Sequence, residues 1–202
     1  MKLHYSATSP YVRKVLVLVL ETGLDKRIER VSRAMSPIAP DAELNRDNPL
    51  GKVPALVLDE GTVLYDSRVI CEYLDTLHGG ARWFPAPGPA RWNALRRQAL
   101  GDGILDAAVL TRYETFLRPE AYRWPEWING QKQKFTRALD ALETEADNLQ
   151  GVLDIGTVAI ACALGYLDFR YADEHWRNHR PKLAAWFDAF AKRPALAQTK
   201  PG

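Results

Sequence analysis

The run GGARWFPAPGPA, residues 79–90, restricts the fold more than any other feature of the chain. Proline removes a backbone donor and fixes φ, and glycine is costly to order, so neither helix nor strand passes through such a run. The spacing of apolar residues also changes across it. Before it, short alternating segments mix with helical ones; after it, every long segment repeats at helical spacing. A chain of 202 residues has room for one large domain or two small ones, and this break implies two. The first is expected over 1–78, the linker over 79–90 and the second over 91–202.

In the first unit KLHY, residues 2–5, alternates as a short strand does. Ser9-Pro10 then reads as an N-cap followed by a proline at the first helical position. The apolar run that follows predicts a helix from Pro10 to about Thr22, stopped by Gly23. KRIERVS, residues 26–32, supplies a second strand and completes a βαβ pattern. A polar, proline-containing segment covers 34–48. ALVLD and TVLY are two further strands, joined by a tight turn at Glu60-Gly61. Asp66-Ser67 opens a helix with Ile70, Tyr73, Leu74 and Leu77 on one face. Past the linker come four helical runs, over 91–117, 129–149, 154–171 and 180–194. The third is apolar nearly all round, which predicts a central helix. The fold class is therefore α/β plus all-α: a βαβ-ββα unit followed by a helical bundle.

Composition narrows the function. A net charge of +2, with no basic stripe carrying aromatics, argues against nucleic acid and against a membrane partner. The apolar run Val15–Leu20 is too short for a signal and ends at Glu21, and no run is long enough to span a bilayer. Cys71 and Cys162 lie far apart in apolar helical runs, which reads as core and suits a reducing cytoplasm. His4, on the first strand, reads as structural or surface. His78, His175 and His179 have no paired spacing with other ligands, so no metal site is expected. The basic residues between Arg170 and Arg193 read as a solvated face.

Three features carry chemistry. Ser9 stands at a helix start, Val53-Pro54 at a strand start and Asp66-Ser67 at a second helix start. Each alone has an ordinary structural reading, as a cap or an edge proline. Together they describe more. Two helix N-termini favour anions. A cis Val53-Pro54 bond would turn the Val53 main chain outward, where an extended peptide could pair with it. Asp66 requires an ammonium partner. A small anionic, peptide-like molecule with one amine fits all three.

SATSPYVRK at 6–14, NPLGKVPALV at 48–57 and YDSRVICEYL at 65–74 resemble the cytosolic glutathione S-transferases, bacterial members especially, and the resemblance covers essentially the whole chain. It implies a thioredoxin-like first domain and a helical second domain. It implies that glutathione is the co-substrate and that Ser9 is the catalytic residue, stabilising the glutathione thiolate. Thr8 is the nearest rival hydroxyl, followed by Ser6 and Tyr5. By the same resemblance Val53 pairs with the cysteinyl backbone, Asp66 and Ser67 hold the γ-glutamyl group, and Lys52 meets the glycyl carboxylate. Many relatives have Glu where Asp66 stands, so the ligand must sit closer here or use a water. Ser9 cannot form a mixed disulfide, which argues against reductase chemistry. The implied reaction is transfer of the thiolate to a hydrophobic electrophile, with residues 111–124 bordering the electrophile or forming plain core and loop. A glutathione-dependent isomerase or dehalogenase uses the same thiolate, and a non-catalytic glutathione-binding or regulatory protein is the alternative class. A cytoplasmic homodimer is the expected assembly. Before the central helix, Asp154 with Thr157 replaces the usual Ser with Asp, a weaker reciprocal cap.

Overall fold

The computed structural model describes residues 1–201, which pack as two compact units. The first comprises Met1–Phe84 together with the final segment from Pro194; the second is Pro85–Arg193.

The first unit is a four-stranded sheet in the order β2-β1-β3-β4, with β1 Lys2–Tyr5, β2 Glu29–Ser32, β3 Ala55–Val57 and β4 Val63–Leu64. β1 and β2 are parallel, joined through α1 (Pro10–Glu21); β3 runs antiparallel to β1, and β4 antiparallel to β3. This mixed sheet with its helices is the expected thioredoxin-like arrangement. α1 begins at the Ser9 cap with Pro10 in its first turn, and ends at Gly23, whose φ of +69° suits glycine. Val15, Leu18 and Val19 are fully buried on it. The hairpin turn at Glu60-Gly61 is present, with Leu58 and Thr62 closing it.

Two elements went unanticipated. Residues 34–48 contain a short helix, α2 (Ala42–Asp47), capped by Asp41 and anchored by the fully buried Leu44. The final segment contains α8 (Pro194–Gln198), which packs on α1. Arg13 Nη2 donates to the Leu196 carbonyl at 3.0 Å, which ties this last turn to the first unit rather than to the helical one. α3 (Ser67–Asp75) buries Ile70 and Leu74. Its last residue, the buried Asp75, accepts from the amides of Trp83 and Phe84 and so holds the start of the glycine- and proline-rich run.

The second unit contains α4 (Pro89–Arg112), α5 (Pro125–Thr144), α6 (Ile155–Arg170) and α7 (Pro181–Phe190). A π-helical turn, Tyr113–Leu117, follows α4. α6 is buried over nearly its whole length and is the central helix of the unit. A Cβ on Gly101 would come within 2.7 Å of the Ala159 backbone, so glycine is what lets α4 approach α6. The cap of α6 is closed in both directions: Thr157 N donates to Asp154 Oδ1 at 2.9 Å, and Asp154 N donates to Thr157 Oγ1 at 3.1 Å. A threonine hydroxyl thus satisfies the reciprocal bond that a carboxylate usually makes. On the basic face before Arg193, Arg177 pairs with Asp168 and Arg180 with Asp140. Among the described residues no helix is long and apolar enough to cross a membrane.

Candidate functional site

Strand register brings the expected residues to one end of the sheet. His4 pairs with Ala55, so the C-terminal end of β1 lies beside the start of β3. Leu64 pairs with Leu56, so the end of β4 lies beside the start of β3 from the other side. The loop carrying Ser9, the Val53-Pro54 step and the Asp66-Ser67 step therefore all leave the sheet at the same end.

Ser9 is half-buried. Its Oγ accepts from Val12 N at 3.3 Å, a helix cap, and its hydroxyl proton goes to no described residue. Thr8 is exposed and its Oγ1 lies 3.4 Å from Ser6 Oγ. Tyr5 sits at the last position of β1, pairing with Ser32.

The Val53-Pro54 bond is cis, and neither main-chain polar group of Val53 is hydrogen-bonded to a described residue. A buried residue with an unpaired backbone is uncommon, because such groups are costly to leave without a partner. The Asp66 carboxylate is exposed and accepts from Arg68 N at 2.9 Å as the α3 cap. Ser67 is buried at 1% exposure, yet its hydroxyl bonds to no described residue. Lys52 is exposed, its ammonium without an acidic partner among the described residues.

The loop that presents Lys52 and Val53 is built by a residue not singled out in the sequence. Asn48, 1% exposed, donates from Nδ2 to the Lys52 carbonyl at 2.8 Å and accepts from Leu50 N at 3.1 Å. Gly51 has φ +59°, and a Cβ there would meet Asn45 Oδ1 at 2.7 Å. Asparagine bonding two residues ahead, followed by glycine, is a recognisable turn signal within NPLGK.

Behind the loop lies a polar cluster that also went unanticipated. Arg33 Nε donates to His4 Nδ1 at 3.0 Å, His4 Nε2 stands 2.6 Å from Asp47, and Lys2 lies 3.4 Å from the same carboxylate. Arg33 further pairs with Glu43 at 2.6 Å. The bond from His4, followed by the Lys2 charge, holds the Asp47 carboxyl below its ordinary range against the opposing effect of burial. Arg33 lowers Glu43 in the same way. The residues sit far apart in sequence, so no local motif announced them.

Family models decide the relationship: the N-terminal domain of glutathione S-transferases matches residues 8–77, and the C-terminal domain matches residues 125–189. The chain belongs to the glutathione S-transferase family. Among family relatives, the chain is 35% identical over 204 residues to the uncharacterised GST-like protein YibF of Escherichia coli K12, covering 100% of this chain and 98% of that one. A glutathione transferase family member from Pseudomonas fluorescens Pf-5, crystallised with glutathione, superposes with a TM-score of 0.98 at 51% identity, covering 100% of this chain and 98% of that one. A second structure from Pseudomonas fluorescens Pf-5, holding S-(propanoic acid)-glutathione, gives a TM-score of 0.93 at 47% identity and covers 100% of both chains. Among the described residues of this family member, no group of three or more His, Cys, Asp or Glu side chains could hold a metal ion. Cys71 and Cys162 are both buried and in no disulfide.

Proposed function

We propose that the protein is a glutathione transferase in which Ser9 stabilises the glutathione thiolate for attack on a hydrophobic electrophile. The observation that carries this reading is the set of unpaired polar groups at one end of the sheet: the Val53 main chain, the buried Ser67 hydroxyl and the Ser9 hydroxyl proton. The Val53 amide and carbonyl match the cysteinyl backbone of glutathione. Ser67 and the α3 N-terminus match the γ-glutamyl carboxylate, Asp66 the ammonium beside it, and Lys52 the glycyl carboxylate. Relatives of 51% and 47% identity hold glutathione and a glutathione thioether, which supports the same ligand here.

The energetics permit the role. A free thiol has a pKa of about 8.5, and lowering it by about two units requires roughly 2.7 kcal/mol of preference for the thiolate. A helix N-terminus contributes about 0.3 to 1 kcal/mol, or up to ~2 when partly buried. A hydroxyl donating to a charged sulfur contributes about 1.5 to 3 kcal/mol. The two together reach the requirement. Ser9 can do both jobs at once, because its oxygen accepts from Val12 N while its proton is free to donate.

Electron flow is short: the thiolate attacks the electrophilic carbon, and the displaced group leaves with the electron pair or a polarised double bond takes up a proton. Titration calorimetry with glutathione, joined to a thioether-forming assay, tests the reading. Ser9→Ala should lose rate with little loss of glutathione affinity. Binding without turnover would instead favour a regulatory role for the same fold. A two-fold dimer is part of the proposal; a single species of monomer mass at micromolar concentration in sedimentation would refute it.

A further inference from the structure

We propose that the C-terminal ends of α4 and α6 form a binding site for the carboxylate of a small apolar molecule, with Arg112 and Arg170 as its cationic partners. The site lies wholly in the helical unit. Gly156 of α6 meets Ala94 and Arg97 of α4, while Gly101 meets Ala159 and Ile160, so the two helices run in the same direction. At their far end the Tyr171 hydroxyl donates to the Ala108 carbonyl at 2.6 Å. The last residues of both helices, Arg112 and Arg170, therefore come to the same end of the unit.

Neither guanidinium has a hydrogen bond or an ion pair with any described residue. Arg112 stacks on Phe116 at 3.7 Å and Arg170 on Phe169 at 3.8 Å, which leaves their N–H edges unused. Three carboxylates of the adjoining segments are committed elsewhere: Glu114 to Arg118, Asp168 to Arg177 and Glu174 to Lys132. A cation at a helix C-terminus is favoured by the dipole alone. Two stacked arginines beside unpaired phenols need a further account. Tyr166 is 5% exposed, yet its hydroxyl bonds to no described residue. Burial pushes the Tyr166 phenol up, and the charges of Arg170 and Arg112 oppose that rise, so both cations act on one phenol. Tyr113, also raised by burial, acts on the same group. The phenols stay protonated and can donate. A carboxylate would accept from the arginine forks and from these hydroxyls, and Tyr113 and Phe116 would flank its apolar body.

The carboxylate-bearing molecule is either the second substrate of transfer, an assignment that rests on the transferase reading, or a ligand bound without reaction. The probes are 4-chloro-3-nitrobenzoate and 4-chloro-3-nitrobenzamide, equal in shape and different in charge. Calorimetry on the full chain without glutathione should give at least tenfold tighter binding of the benzoate. Arg112→Gln and Arg170→Gln should each lose about tenfold for the benzoate and leave the benzamide unchanged. Equal affinity for the two probes overturns the proposal, and so do arginine variants that bind as the parent does. The comparison of the two probes on the parent needs no variant, so it decides the matter even where a variant fails to fold. Added glutathione then separates the sources: the thiolate displaces chloride from the ring carbon, forming a thioether, and preferential chloride release from the benzoate marks a substrate. Benzoate preference with no chloride release from either probe supports the site and counts against the transferase reading.

Discussion

Arg33 Nε donates to His4 Nδ1 at 3.0 Å, and that one bond fixes the tautomer of a fully buried imidazole. The ring proton must sit on Nε2, where Asp47 accepts it at 2.6 Å. Asp47 ends α2, and Asn48, one residue on, braces the loop bearing Lys52 and Val53. Asp47→Ala would leave the His4 N–H buried without an acceptor, at a cost of about 1 to 3 kcal/mol. For a chain of this length, the melting temperature should fall by about 2 to 4 °C per kcal/mol. Asp47→Asn keeps an acceptor and should lose less, as thermal melts of the two variants will show.

The same cluster contributes to the loss of stability in acid. Asp47 and Glu43 both have carboxyl groups lowered by the fold, chiefly by bonds to His4 and Arg33. A lowered carboxyl stabilises the native state above its unfolded pKa, and that contribution disappears as pH falls through the folded value. Stability from urea unfolding should therefore be level above about pH 5 and decline below about pH 4, near the ordinary carboxylate range. The Asp47→Asn variant should show a shallower decline.

Ser67 gives a cleaner probe of binding than Asp66, because Asp66 also caps α3 through Arg68 N. The Ser67 hydroxyl bonds to no described residue, so Ser67→Ala removes nothing internal. Glutathione affinity measured by calorimetry should fall about tenfold, equivalent to ~1.4 kcal/mol, with the melting temperature of the unliganded protein unchanged to within about 2 °C.

Removal of residues 194–202 should destabilise the first unit although they lie last in sequence. Leu196 is 1% exposed, and its carbonyl accepts from the buried Arg13. Losing the burial of that side chain costs about 1.5 to 3 kcal/mol, and the lost charge-assisted bond adds a similar amount. Urea unfolding of the truncated chain should show a loss of about 3 kcal/mol or more.

Much of this was legible before the structure. Ser9-Pro10 marked the start of α1 and Gly23 its end, because caps and stops are local chemistry. The alternation in residues 55–65 marked the hairpin, and the break at 79–90 separated mixed from helical spacing. Short helices were not legible: α2 and α8 span 6 and 5 residues, too few for a period to register. The His4, Arg33 and Asp47 cluster joins β1, the end of β2 and α2, so only tertiary pairing reveals it. The candidate set of Ser9, Val53 and Ser67 was named from the sequence, and the sheet register supplies the reason that they leave the same end.

The most direct test of the Ser9 claim is the thiolate absorbance of protein-bound glutathione, followed through a pH titration in the parent and in Ser9→Ala. Ser9→Ala also loses a helix cap, so its fold should be checked by melting before the titration. Thiolate stabilisation by Ser9 predicts a midpoint about two units below that of the free thiol in the parent, and a rise of about one to two units on losing the hydroxyl. A parent midpoint equal to that of free glutathione, or a folded Ser9→Ala protein with the parent's midpoint, would contradict it.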